Sequence, residues 1–98
     1  MILLHGTSDA VHVGRELLPP VYTGVQRENW RKKDTDVIFL TQSSRAAVMY
    51  AWKAVQRFGG NPVVLTCDTV GMVYQNHNGD FCAFRAKVLS RQPIQSTR

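Results

Sequence analysis

The stretch DVIFLTQSSRAAVMYAWKAVQRFGGNPVVLTC, residues 36–67, decides the fold because its hydrophobic pattern changes period twice. DVIFLT, residues 36–41, is a β-branched and aromatic run that predicts a buried strand. Apolar side chains then recur three and four residues apart, at Val48, Ala51, Trp52, Val55 and Phe58. That spacing predicts an amphipathic helix. NPVVLTC, residues 61–67, predicts a second buried strand, so the unit is strand–helix–strand.

The ends of this helix carry their own signals. Ser43 or Ser44 can cap the first turn, and the pair Gly59-Gly60 supplies the C-terminal stop. Tyr50 and Trp52 could be taken for a ligand-binding pair. Aromatic residues at helical spacing more often pack in the core, and we expect both to do so.

The flanking segments complete a small mixed fold. Ile2–Leu4 predicts a core strand, with His5-Gly6-Thr7 at its exit, and the aperiodic segment His5–Asp34 predicts a long loop. Val73-Tyr74 predicts a short strand, Asn76–Asp80 a turn and Phe81–Ser90 a further strand. The expected fold is α+β: one domain spanning residues 1–98, with one main helix.

Composition limits the function classes. Of 98 residues, 44% are hydrophobic and 19% charged, as in ordinary globular proteins. Since no apolar run approaches the roughly 20 residues that cross a bilayer, and the MILL start is too short and uncharged for a signal peptide, we expect a cytoplasmic protein. Cys67 and Cys82 lack a CxxC or zinc-ligand spacing, which predicts reduced core thiols.

The net charge of +5 is unevenly distributed. One basic cluster consists of Arg27, Arg31, Lys32 and Lys33. Such a cluster can be a solvated loop, or it can attract phosphates, nucleic acids or an acidic partner.

The sequence lacks several common catalytic patterns. It contains no GxxxxGK[ST], GxGxxG or GxSxG motif, and its three histidines show no paired metal-ligand spacing. Polar residues instead follow three predicted strands, at residues 5–7, 41–43 and 74–76. Polar strand ends that converge on one cleft are a common way to build a small-molecule site.

Three segments, LLHGTSD (residues 3–9), IFLTQSSRAAV (38–48) and PVVLTCDTVGMV (62–73), carry a resemblance. In order and spacing they resemble the small bacterial rifampin ADP-ribosyltransferase family, part of the wider ADP-ribosyltransferase superfamily. The resemblance covers roughly residues 2–74. It implies a split, strongly bent β-structure that holds NAD as a substrate in a cleft.

The resemblance also implies roles for single residues. His5 would hydrogen-bond the nicotinamide ribose, and the backbone of Gly6 would pair with the carboxamide, the missing Cβ leaving room for the ring. Phe39 stands where the family has a tyrosine that stacks on nicotinamide. The remaining expected NAD-binding residues are Thr7, Thr41 and Ser43.

The family's third position is usually acidic, and the alignment places Gln75 or Asn76 there. An amide can hydrogen-bond a ribose hydroxyl but brings no negative charge. Asp80 is the nearest carboxylate. The expected catalytic set is therefore His5 with Gln75 or Asp80.

Two functions follow from the resemblance, and a third from charge alone. The first is an NAD-dependent ADP-ribosyltransferase whose basic cluster selects an acidic or nucleic-acid-associated acceptor, in the role of a small phage or mobile-element effector. The second is a catalytically silent domain of the same fold that blocks an acidic or nucleic-acid-binding partner. The third is a nucleic-acid-binding domain without an NAD cleft.

Overall fold

Two antiparallel sheets and one helix make up the part of the chain that the computed structural model describes, residues 1–19 and 37–94. The strands are β1 (Ile2–Ser8), β2 (Glu16–Leu17), β3 (Ile38–Leu40), β4 (Pro62–Thr69), β5 (Val73–Gln75), β6 (Phe81–Ala83) and β7 (Ala86–Pro93). The helix, α1, spans Ser44–Phe58. This arrangement is α+β, as the sequence predicts.

The large sheet has the strand order β1-β4-β7-β2, and the small sheet has the order β3-β6-β5. In residues 1–19 and 37–94 one backbone bridge joins them: the Leu4 N–H donates to the Thr41 carbonyl at 2.8 Å, and the Thr41 N–H donates to the Leu4 carbonyl at 2.9 Å. Along their whole lengths β1 pairs with β4 and β3 pairs with β6, so in the described residues the bridge is the single backbone pairing between the two sheets.

The hydrophobic core takes side chains from both sheets. Its buried members are Leu3, Leu17, Ile38, Leu40, Val63, Leu65, Cys67, Ala83 and Ala86. The register of β1 and β4 sets Leu3 opposite Cys67 and His5 opposite Leu65, so alternate residues of these two strands face this core. Removing these strand faces from water is the main source of stability of such a small domain.

Helix α1 packs against β1. A Cβ added at Gly6 would lie 1.9 Å from the Ala47 carbonyl oxygen and 2.6 Å from the Ala51 nitrogen. Ala47 and Ala51 are fully buried. The helix backbone therefore rests directly on the strand, which only small residues on both sides allow.

Both helix ends match the sequence prediction. The Ser43 hydroxyl accepts a hydrogen bond from the Ala46 N–H at 3.1 Å, so Ser43 rather than Ser44 is the N-cap. Gly59 ends the helix with φ of 78°, a conformation that favours glycine, and its N–H donates to the Val55 carbonyl at 2.8 Å. The Ser8 hydroxyl donates to the Gly59 carbonyl and so joins the helix end to β1.

Three sequence predictions about the strands and the first loop are wrong in detail. Strand β1 does not end at Leu4 but continues to Ser8, so His5-Gly6-Thr7 lies within the strand. The predicted loop from His5 is further interrupted by β2, while residues 20–36 lie outside the described part of the chain. The predicted strand Phe81–Ser90 is two strands, β6 and β7, which belong to different sheets.

The helix corrects one further expectation. Trp52 was expected in the core, but its side chain is 40% exposed, and Phe58 at the last turn is 39% exposed. Tyr50 is half-buried. The helix buries small residues against β1, so the bulky aromatic residues of its apolar pattern have no room on that face.

The two cysteines are free and buried, as predicted. Burial raises the pKa of the Cys67 thiol to about 11, an effect that outweighs the opposing charge of Arg91. The Cys67 thiol is therefore protonated and unreactive at neutral pH. Among the described residues no helix has the length and apolarity that crossing a membrane requires.

We expect the substitution Gly6→Ala to destabilise the fold by about 1 to 3 kcal/mol, because the new methyl group overlaps helix backbone that cannot move aside alone. Chemical denaturation measures the change. Gly14→Ala is the matched control, since nothing lies within 4 Å of a Cβ added there, and it should change stability by less than about 0.5 kcal/mol. Equal effects of the two substitutions would contradict the helix–strand contact described here.

Candidate functional site

The candidate site lies where β1 and β3 separate. After the bridge between Leu4 and Thr41, the next contact between the strands is made by a side chain: His5 Nδ1 lies 2.9 Å from the Phe39 carbonyl oxygen. The imidazole thus bridges two strands that have stopped pairing. Two predicted site residues, His5 and Phe39, are brought into direct contact.

This contact sets the chemistry of the His5 ring. A carbonyl oxygen can only accept, so Nδ1 must carry the proton of the bond to Phe39. In the neutral ring Nε2 then has an acceptor lone pair. The contact with Phe39 therefore fixes the orientation of the His5 ring and, in the neutral form, its tautomer.

The backbone of Gly6 faces the side from which β3 departs. In an antiparallel strand, residues two apart direct their N–H and C=O groups toward the same neighbour. Leu4 directs both groups to Thr41, so Gly6 directs its own toward β3. The two peptide groups of this one residue offer a donor and an acceptor beside His5.

The space around Gly6 corrects one part of the expectation. The missing Cβ was expected to make room for a bound ring, but the space that a Cβ would enter is filled by the backbone of Ala47 and Ala51. Packing of α1 against β1 is thus what requires glycine at this position. The expected role of the Gly6 backbone stays a prediction.

Three further predicted residues, Thr7, Thr41 and Ser43, lie near the strand ends. Thr41 is 8% exposed, and its hydroxyl accepts from the Ser43 N–H at 3.0 Å. The Ser43 hydroxyl caps the helix. Thr7 is 7% exposed. Thr41 and Ser43 therefore already act in ordering the turn from β3 into α1.

Asp80 is held by the helix. The Tyr50 hydroxyl donates to Asp80 Oδ1 at 3.0 Å, and the Asp80 side chain is 8% exposed. The Asn76 side-chain oxygen accepts from the Asn78 and Asp80 N–H groups, both at 3.0 Å, which forms the turn predicted over residues 76–80. Sequence reasoning missed the role of Tyr50, whose only signal is that a buried phenol needs a polar partner.

Gln75, the predicted third residue, is exposed at the end of the edge strand β5, and its Nε2 donates to the Gly79 carbonyl at 3.0 Å. Register sets Gln75 opposite Phe81 and Phe81 opposite Leu40, so Gln75 projects from the core-facing side of the small sheet. Phe39, opposite Cys82, projects from the other side, as Asp80 does by alternation.

The candidate residues therefore divide between two faces. The bridge between Leu4 and Thr41 puts His5 on the side of Leu40, which is also the side of Gln75. Asp80 lies on the opposite side, toward α1. Gln75 and Asp80 are the two candidates for the third position of the family's site. Because side chains alternate between the faces of a strand, Gln75 lies on the same face as His5 and Asp80 does not.

Some expectations cannot be placed in this geometry. The basic cluster, Arg27, Arg31, Lys32 and Lys33, lies outside the described residues, and its expected role in acceptor binding stays a prediction. Within residues 1–19 and 37–94 no group of three or more His, Cys, Asp or Glu side chains could hold a metal ion.

We expect the contact between Tyr50 and Asp80 to stabilise the fold. Hydrogen bonds to charged groups contribute about 1.5 to 3 kcal/mol, and this one is largely shielded from solvent. A double-mutant cycle of Tyr50→Phe and Asp80→Ala, followed by chemical denaturation, should give a coupling energy of about 1 kcal/mol or more. Strictly additive effects would mean that the bond contributes nothing.

Comparison of the chain with protein-family models, with curated proteins and with solved structures found no match. The function is therefore argued from the contacts of the chain's own residues.

Proposed function

We propose that this domain binds NAD where β1 and β3 separate and transfers its ADP-ribose to an acceptor. The observation that carries the proposal is the His5 imidazole, which the contact between Nδ1 and the Phe39 carbonyl holds at that point. An imidazole is a suitable hydrogen-bonding partner for a ribose hydroxyl.

The groups beside His5 fit the nicotinamide end of NAD. A carboxamide has one carbonyl acceptor and one NH₂ donor, and the Gly6 backbone offers the complementary N–H and C=O on the side of β3. Phe39 contributes its backbone carbonyl, which holds His5, while its half-buried ring projects from the other side of the small sheet. The alternation of side chains therefore gives no support to the stacking role that the resemblance implies for Phe39.

NAD supplies a nicotinamide–ribose bond whose cleavage develops positive charge on the ribose. The domain's part is to hold the ribose and the nicotinamide in fixed positions, which lowers the entropy cost of reaction. We assign the third position to Gln75, because alternation groups it with His5, whereas Asp80 is buried against Tyr50. The Gln75 amide can contact a ribose hydroxyl, but it is neutral.

The acceptor in this proposal is a macromolecule, or a small molecule, with negative charge. The net charge of +5 and the basic cluster support an acidic or nucleic-acid-associated acceptor. A phage-borne or mobile-element effector that modifies a host complex is a role that suits a domain of this size and charge.

Binding of NAD is the first test. Titration calorimetry should detect NAD binding to the wild type, and His5→Ala should weaken it two- to tenfold, since one neutral hydrogen bond contributes about 0.5 to 1.5 kcal/mol. His5→Phe retains the ring volume between the strands and should weaken binding similarly. His12→Ala, at an exposed histidine, is the matched control and should bind as the wild type does. No binding by the wild type at millimolar NAD refutes the proposal.

A silent binding module of the same fold is the second candidate. It is favoured by the neutral third position and by the Gln75 amide, which already donates to the Gly79 carbonyl. Such a module would use its basic surface to block an acidic or nucleic-acid-binding partner without cleaving NAD.

Gln75→Glu separates the two candidates. If the domain is a transferase, this substitution should increase nicotinamide release from NAD, because it adds negative charge on the face that Gln75 shares with His5, and that charge favours the developing cation. Asp80→Asn should change release little, because Asp80 lies on the other face. Chromatographic detection of nicotinamide measures both. No release by the wild type or by Gln75→Glu supports the silent module, and loss of release in Asp80→Asn alone assigns the third position to Asp80.

A further inference from the structure

The outer face of α1 is an unusual surface for a helix that packs on a sheet. Five exposed residues form one stripe opposite the buried Ala47 and Ala51: Arg45, Met49, Trp52, Lys53 and Gln56. Their spacing brings them together on one side of the helix. The centre of this stripe is apolar, with Met49 54% and Trp52 40% exposed.

The charge of the helix has a single sign. Its cations are Arg45, Lys53 and Arg57, and residues 44–58 contain no Asp or Glu. Among the described residues no ion pair engages Arg45 or Lys53. An ordinary solvated helix face intersperses both signs of charge, so this face presents a positive rim around an apolar centre.

Helix stability does not account for this composition. The first turn lacks an acidic residue and contains Arg45, whose charge is opposed by the positive end of the helix dipole. Packing does not account for it either, since Met49 and Trp52 point away from the sheet. A cation at the N-terminus of a helix and exposed apolar area both cost stability in the isolated domain. Such features are expected where the binding of a partner offsets that cost.

We propose that the outer face of α1, residues Arg45, Met49, Trp52, Lys53 and Gln56, is a docking surface for a protein whose apolar groove is lined by carboxylates. The face matches the recognition mode in which apolar helix residues three and four apart enter a groove. Trp, Met and Arg are also the residue types enriched in protein interfaces. The surface is separate from the His5 region and does not depend on NAD binding.

The positive charge of this helix face would also suit a nucleic acid, but the apolar residues at its centre, Met49 and Trp52, favour a protein partner. Bases stack on planar aromatic side chains, and here one of the two central residues is the thioether Met49. A flexible, apolar thioether fits an apolar groove better than a phosphate backbone or a base edge. The acidic rim of the partner then complements Arg45 and Lys53.

A random-peptide display library, selected on the immobilised full chain, tests this inference. The counter-selection target is the variant with Arg45→Glu, Trp52→Ala and Lys53→Glu, whose fold is checked by circular dichroism. We expect the enriched peptides to combine Asp or Glu with bulky apolar residues. Enrichment of peptides without acidic residues, or no enrichment over the variant, overturns the proposal.

Affinities of one enriched peptide then locate the surface. Met49→Ala and Lys53→Glu should each weaken binding by about tenfold or more, as expected for central contacts. Met72→Ala and Lys87→Glu are matched controls at other exposed positions and should bind as the wild type does. Equal losses in the controls overturn the proposal. So does tight binding of a single-stranded oligonucleotide that the same variants abolish, or a dimer in solution that they dissociate.

Discussion

The close approach of α1 to β1 at Gly6 is the constraint on which the rest of the structure depends. With the helix backbone resting on the strand, the inner face of α1 must consist of small residues, and it does so at Ala47 and Ala51. The same packing of α1 on β1 brings Tyr50 within hydrogen-bonding distance of Asp80. A larger residue at position 6 would displace the helix and with it the link between the two sheets.

The two sheets separate because the chain turns from the end of β3 directly into α1. Leu4 and Thr41 pair through the backbone, and then the chain turns at once into the capped start of α1. One pair of backbone bonds is thus the only ladder contact between β1 and β3 in the described structure. His5 makes a contact beyond it, using a side chain where the backbone no longer reaches, and this places a polar, oriented group at the gap.

Local signals in the sequence were enough to predict the helix, its caps and the strand β4, because each depends on residues near in the chain. The division of Phe81–Ser90 into β6 and β7 could not be predicted, since it depends on which distant strand each half pairs with. The contact of Tyr50 with Asp80 is missed for the same reason, as 30 residues separate the two. The sequence predicted His5 as a site residue, but its bond to Phe39 follows only from the divergence of two strands.

The helix also shows why residues with no structural task are informative. Ala47 and Ala51 are explained by Gly6, Ser43 and Gly59 by the helix ends, and Tyr50 by Asp80. Lys53 has one contact inside the domain, since its Nζ lies 5.8 Å from the centre of the Tyr50 ring. Arg45, Met49, Trp52 and Gln56 are left, all exposed and with no acidic residue on the same helix. Folding would be served at least as well by alternating charges at these positions. The composition of this face is therefore better explained by what it contacts outside the domain than by the stability of the domain itself.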